Sequence, residues 1–160
     1  MVMFFALFPL AVQALHFGVT KEAAFAEALE LSQGRGIINL GCGPHRTYWA
    51  QDVAAQSDVL VNVDIVPDGM PHFLQLDIEQ ERLPFLDKQF GCAFASHVLE
   101  HLDSWEFALG EMARVSDYVV VVLPDVISFA GWIDPDHRRH FSIEDMQSMV
   151  DRYPSVKVFC

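Results

Sequence analysis

Ile37-Ile38-Asn39-Leu40-Gly41-Cys42-Gly43-Pro44 reads as a short buried strand running straight into a tight, glycine-bearing turn. The apolar run has no polar alternation, as expected of a strand covered on both faces. Gly41 and Gly43 let the chain turn sharply and let backbone N–H groups approach a ligand with no Cβ in the way.

The same pattern recurs outward from this stretch. Val59-Leu60-Val61-Asn62-Val63 is a second strand ended by Asp64, His72–Leu76 a weaker third ended by Asp77, and Phe90–Ala95 a fourth leading into Ser96-His97. Tyr118-Val119-Val120-Val121-Val122-Leu123 is the clearest strand, and Val156–Phe159 is a sixth. Helices are expected between them. One is capped by Thr20, carries Ala24, Phe25, Ala28 and Leu29 on one face and stops at Gly34; another runs from about His45 to Ala55. A third opens at Asp103-Ser104-Trp105-Glu106, which has capping-box spacing, with Leu102, Trp105, Leu109 and Met112 on one stripe. The last starts at Ser142-Ile143-Glu144-Asp145 and closes before Pro154. Short apolar strands alternating with helices predict an α/β domain, a three-layer sandwich around an open, mostly parallel sheet.

Composition narrows the function classes. The chain has 160 residues, 52% of them hydrophobic and 20% charged, which suits one core-forming domain. Ten Lys+Arg against 22 Asp+Glu give a net charge of -12, the wrong sign for a nucleic-acid backbone or an anionic membrane surface. Cys42, Cys92 and Cys160 form no CxxC and cannot all pair, which argues for a reducing compartment, the cytoplasm, over a disulfide framework or zinc knuckle. No repeat or flexible linker divides residues 20–160, preceded by an apolar stretch over 1–19. That stretch is nearly long enough to span a bilayer, but it lacks the basic opening of a signal peptide and is interrupted by Pro9, Gln13 and His16. We read it as an N-terminal helix or arm that covers part of the core or packs against a second copy in a homodimer. A membrane anchor and a cleaved leader are the other readings.

In open parallel sheets, ligands bind beyond the carboxyl ends of the strands where the topology switches. Asn39, Asp64, Asp77 and Ser96-His97 stand at those ends. Asp64, about 20 residues beyond the glycine turn, is spaced to accept both hydroxyls of a ribose diol. Asp77 can accept from an exocyclic adenine amine, with Ile65 and Ile78 sandwiching the base. Taken singly, each acid reads more readily as a solvated loop residue or a helix cap; in order, each at a strand end, the two together are considerably more specific. A nicotinamide site prefers a third glycine at position 46, where this chain has Arg46, which disfavours NAD.

The ordered series of motifs resembles class I S-adenosylmethionine-dependent methyltransferases, in particular their type 11-like branch, over about residues 36 to 150. Residues 37–44 resemble the family's first motif, Val61-Asn62-Val63-Asp64-Ile65 its ribose-binding strand end, and Leu76-Asp77-Ile78-Glu79 its adenine-contacting segment. Leu83-Pro84-Phe85, Asp87 and Phe90, with Ala95-Ser96-His97-Val98-Leu99-Glu100-His101-Leu102, are similar to the branch's fourth-strand region. Glu111-Met112-Ala113-Arg114-Val115 fits the next helix, and Leu123-Pro124-Asp125 with Asp134-Pro135-Asp136-His137-Arg138-Arg139-His140-Phe141-Ser142 fits the fifth strand and its loop. There are departures. Asn39 is neutral where the wider family has an acid, His45 stands where many members have a third glycine, and Gly91 stands where an aspartate commonly follows the phenylalanine. The family also completes its Rossmann-like sheet with an antiparallel seventh strand, which is expected to be missing here, leaving an unpaired edge; the readings of that are a chain truncated at its C-terminus, an edge closed by self-association, or a domain that has lost activity.

The resemblance implies S-adenosylmethionine as cofactor and S-adenosylhomocysteine as product. It places Asn39, Gly41, Cys42, Gly43, Asp64, Ile65, Asp77, Ile78, Ser96 and His97 around the cofactor. The implied reaction moves a methyl group to a small-molecule or sugar-like acceptor by in-line displacement. The alternative is a catalytically inactive methyltransferase-like binding or partner subunit acting through its Phe-rich N-terminus. His97 and His101 are the candidate bases where the acceptor must lose a proton; otherwise His97 shapes the pocket and His101 caps or packs against the neighbouring helix. His97-Val98-Leu99-Glu100-His101 also spells H-x-x-E-H, with His137, His140 and Asp134 as further donors. That pattern belongs inside a helix, whereas here it begins at a strand end, so no metal is expected. No G-x-S-x-G or Ser–His–Asp ordering points to a hydrolase.

Overall fold

A computed structural model of the chain describes residues 15–43, 58–67, 69, 72–124 and 135–160. The expected helix from His45 to Ala55, and residues 1–14 of the apolar arm, lie outside the described residues. Seven strands form one sheet: β1 (Leu15–His16), β2 (Ile37–Leu40), β3 (Val59–Asp64), β4 (Phe73–Gln75), β5 (Phe90–Ser96), β6 (Ser116–Val122) and β7 (Val156–Phe159). Among the described residues three helices accompany it, α1 (Lys21–Ser32), α2 (Trp105–Val115) and α3 (Ile143–Arg152), with a 3-10 turn at Leu99–His101.

The strand order is β1-β7-β6-β5-β2-β3-β4, and every pairing is parallel. From β2 the sheet grows one way through β3 and β4, then the other way through β5, β6 and β7. The switch point lies between the carboxyl ends of β2 and β5, where Leu40 pairs with Ala95.

Both faces are covered, which is why the strands read as continuous apolar runs. On one face Ala24, Phe25 and Ala28 of α1 pack on Ile37, Cys92, Phe94 and Val120, with Phe25 and Phe94 edge to face at 5.1 Å. On the other, Leu109 and Met112 of α2 and Met146 and Met149 of α3 pack on Ile38, Ala93, Val119 and Val121. Gly91 has its reason in this packing: a Cβ there would stand 2.1 Å from the Ser32 carbonyl oxygen, so the last turn of α1 can meet β5 only over a glycine.

Helix ends agree in part with expectation. Thr20 caps α1 by accepting from the Ala23 amide at 3.2 Å, but α1 ends one residue early: Gln33, at φ 49°, takes the left-handed position ahead of Gly34. The Ser142–Asp145 capping box forms. The one expected at 103–106 does not, because the Glu79 carboxylate reaches across and accepts the Asp103 and Ser104 amides at 2.5 and 2.9 Å.

Two further features set the frame of the site. Arg114 donates to both Glu111 carboxylate oxygens at 2.9 and 2.7 Å, to the Leu83 and Phe85 carbonyls at 2.9 and 2.8 Å, and to Asp87 at 3.0 Å. Glu111 in turn accepts the Leu83 amide at 2.9 Å, so the motif residues of 83–87 and 111–114 form one clamp holding the loop before β5 to α2. At the far edge, β1 pairs with β7, His16 stacks on Phe159 at 4.5 Å between centroids, and the Cys160 amide donates to the His16 carbonyl at 2.9 Å. Among the described residues no antiparallel strand is present, and the edge beyond β7 is taken by β1. No helix among them is long and apolar enough to cross a membrane.

Candidate active site

A cavity of about 350 Å³ opens at the switch point, a size suited to a small ligand. Its lining brings together Gly41 and Gly43 after β2, Asp64 and Ile65 at the end of β3, residues 76–79 after β4, and His97, Val98, His101 and Leu102 after β5. Of the residues singled out in the sequence, Gly41, Gly43, Asp64, Ile65, Asp77, Ile78, His97 and His101 line it.

Gly41 sits at φ +61° with its Cα against Val98; a Cβ there would come within 2.3 Å of Val98 Cγ2. The turn therefore needs glycine for conformation and for space. Its amides face away from the role expected of them: Gly41 and Cys42 donate to the Val63 carbonyl at 2.8 and 3.2 Å, and Gly43 donates to Asp64 Oδ2 at 2.9 Å. Neighbouring β3 takes these donors, so the turn offers the cavity close backbone approach and not a nest of N–H groups.

The Asp64 carboxylate accepts from Gly43 at one oxygen and from the Val66 amide, at 2.9 Å, at the other. Each oxygen keeps a lone pair for a further donor, which fits the two hydroxyls of a diol. Asp77 closes a turn, accepting the Glu79 amide at 3.0 Å and Gln80 Nε2 at 2.9 Å, so it acts as a cap as well as a wall residue. Ile65 is 58% exposed, an apolar side chain left open at the cavity. Ile78, beside it, is partly buried.

Three sequence candidates do not line the cavity. Asn39 is turned into the sheet, where Nδ2 donates to Asn62 Oδ1 at 2.9 Å. This buried amide pair explains why a neutral residue stands there. Cys42 is buried, and Ser96 closes β5 with its hydroxyl buried and unpartnered among the described residues.

The wall also contains Leu76, Glu79, Val98, Leu102 and Arg138, none of which the sequence singles out as a site residue, although Leu76 and Glu79 flank the pair expected at the adenine. Glu79 and Arg138 lie in motifs whose pattern was visible, but only the fold shows them meeting: the Arg138 guanidinium pairs with Asp103 and stands 3.7 Å from Glu79. The two histidines differ in surroundings. His97, at φ 55°, extends β5 by donating its amide to the Val122 carbonyl at 2.9 Å, and its Nδ1 lies 3.2 Å from the buried Glu100 carboxylate. His101 Nδ1 is 3.0 Å from the Asp136 carbonyl.

Residues 29–117 match a family model described as a methyltransferase domain. Among solved structures, the fold is similar to that of a SAM-dependent methyltransferase from Thermotoga maritima. The TM-score is 0.54 at 18% identity, over 82% of this chain and 74% of that one. It is equally similar to the YcgJ protein of Bacillus subtilis, with a TM-score of 0.54 at 17% identity over 82% of this chain and 68% of that one. At such identities the likeness bears on fold alone. No curated protein matches the sequence.

Proposed function

The chain belongs to the methyltransferase domain family, with S-adenosylmethionine as its cofactor, and from that premise we propose that it methylates a small-molecule or sugar-like acceptor at the cavity of the switch point. The observation that supports this most is the convergence of Gly41, Asp64, Asp77, Ile78 and His97 from four separate strand ends on one hollow.

The residues fit the cofactor. Asp64 would hold the ribose hydroxyls, Ile65 and Ile78 would enclose the base, Asp77 would accept from its amine, and Gly41 leaves room for close passage along the turn. When bound, this cofactor supplies a methyl group on a positively charged sulfur. The chain then has to align the acceptor in line with that group and keep water out, work done by positioning more than by covalent chemistry. Where the acceptor is a hydroxyl, His97 is the better-placed base: it lines the cavity, and the buried Glu100 carboxylate lies 3.2 Å from its Nδ1. His101 has its Nδ1 engaged with a backbone carbonyl and acts as a wall residue. Incubating the protein with S-adenosylmethionine and a panel of hydroxyl- and amine-bearing acceptors, and following S-adenosylhomocysteine, tests this reading. Acceptor-dependent product is expected; cofactor binding without turnover on any acceptor class would favour a binding subunit.

A further inference from the structure

Behind the cavity wall, one ligand atom from each of Glu100, His101 and His137 lies within 4.8 Å of the other two. We propose that these three side chains form a binding site for one divalent transition-metal ion of the zinc type, at the edge of the cavity that His101 lines. The sequence alone argued against a metal because H-x-x-E-H does not fall within a helix. The structure agrees that His97 and His101 share no helical face, since the positive φ of His97 precedes a single 3-10 turn. The cluster uses a different set: two adjacent residues of that turn and a histidine brought in from the loop before α3.

Three observations carry the site. Glu100 is 1% exposed, and neither carboxylate oxygen has a hydrogen-bond partner among the described residues. A buried carboxylate without donors is costly unless a positive charge stands close. Arg138 does not supply that charge, because its guanidinium pairs with Asp103 and approaches Glu79. His97 does so only when protonated, and its 3.2 Å approach lacks hydrogen-bond alignment.

The second observation concerns tautomer. The His101 Nδ1–H donates to the Asp136 carbonyl at 3.0 Å, which leaves Nε2 as the ring atom with a lone pair. An imidazole held through one nitrogen by a backbone carbonyl is the usual support of a metal-bound histidine. The third is the way the loop is fastened. The Glu100 carbonyl accepts the Arg138 and Arg139 amides at 2.9 and 3.1 Å, so the backbone beside His137 is tied to the very residue that offers the carboxylate. The His101 and His137 rings consequently stand 4.9 Å apart between centroids.

Two imidazoles and one carboxylate suit a borderline ion such as Zn²⁺ and are a poor set for Mg²⁺ or Ca²⁺, which prefer oxygen throughout. Bonds of about 2.0–2.1 Å to a tetrahedral ion place ligand atoms roughly 3.4 Å apart, so side-chain rotations of on the order of 1 Å close the site. Three protein ligands leave a fourth position for water or an acceptor oxygen.

The test is metal binding by chelator-treated protein without cofactor, which separates it from the methyl-transfer reading. Zn²⁺ titrated by calorimetry should bind at one ion per chain, Co²⁺ should give visible absorption at the same stoichiometry, and excess Mg²⁺ should displace neither. His137→Ala and Glu100→Gln should each weaken Zn²⁺ by more than about tenfold, and His72→Ala, outside the cluster, should not. Should Glu100→Gln fail to fold by circular dichroism, His137→Ala decides alone, since His137 is partly exposed on a loop. Absence of stoichiometric binding, or a His137→Ala protein that binds as tightly as the parent, would overturn the proposal.

Discussion

The Gly43 amide donates to Asp64 Oδ2 at 2.9 Å, joining the turn after β2 to the carboxyl end of β3. This bond gives Asp64 two tasks. It ties the glycine turn to the neighbouring strand end, and it leaves a carboxylate at the cavity whose oxygens can each accept a further donor. The two tasks are compatible because each oxygen accepts one backbone N–H and can accept one more.

Replacing Gly41 should be costly for a stated reason. Gly41→Ala sets a Cβ 2.3 Å from Val98 Cγ2 at a left-handed φ. Overpacking and backbone strain together should destabilise the domain by roughly 2–4 kcal/mol. Urea unfolding should show a lower midpoint at unchanged slope, and the double variant Gly41→Ala with Val98→Ala should recover part of the loss.

The clamp of Glu111 and Arg114 predicts an acid-sensitive fold. Hydrogen bonds from Arg114 hold the Glu111 carboxyl below its ordinary value of 4.5, more than desolvation raises it, with the Leu83 amide adding to the lowering. The same pair holds the Arg114 guanidinium above its ordinary value. A group whose folded value is depressed contributes stability that is fully present above its unfolded value and is lost as pH falls through the folded one. Glu111→Gln should therefore cost about 2 kcal/mol at pH 7, with the difference from the parent shrinking as pH falls below about 4.5. A cost that stays constant from pH 7 to pH 3 would remove the carboxylate from the explanation.

Burial pushes the Cys92 thiol up to about 12. It packs between α1 and the sheet, so thiolate is scarce at neutral pH. Native protein should leave Cys92 unmodified by a thiol reagent over the time in which urea-unfolded protein is fully labelled, as mass spectrometry of the peptides would show.

Much of the fold was legible because its strands are apolar runs with no polar face, and only a parallel sheet covered on both sides asks for that. Val59–Asp64 and Phe90–Ser96 were missed by no more than a residue at one end. Asp64 and His97 could be placed because a residue at the end of such a run stands at the ligand edge of the sheet, and Ile78 because it belongs to the segment that follows the third strand. What stayed hidden depends on contacts between distant segments. β1 is two residues long and exists through pairing with β7, so no periodicity marks it. The direction of the Gly41 and Cys42 amides, the crossing of Glu79 to the start of α2, and the arrival of Val98 behind Gly41 are likewise tertiary facts. The sequence places Asn39 at a strand end and so at the ligand edge, while its hydrogen-bond partner Asn62 is 23 residues away in the neighbouring strand.

The assignment of the base predicts a split in the kinetics. His97→Ala should lower kcat by about 100-fold on a hydroxyl acceptor while leaving the KM for S-adenosylmethionine nearly unchanged. Parent-like turnover in that variant would make His97 a wall residue.

Calorimetric titration of S-adenosylmethionine into the parent and into Asp64→Ala puts the cavity itself to the test. We expect one cofactor per chain in the parent and binding weaker by about 2 kcal/mol, roughly thirtyfold, in the variant. A parent that takes up no S-adenosylmethionine, or a folded Asp64→Ala protein that binds it as tightly as the parent, would contradict the account.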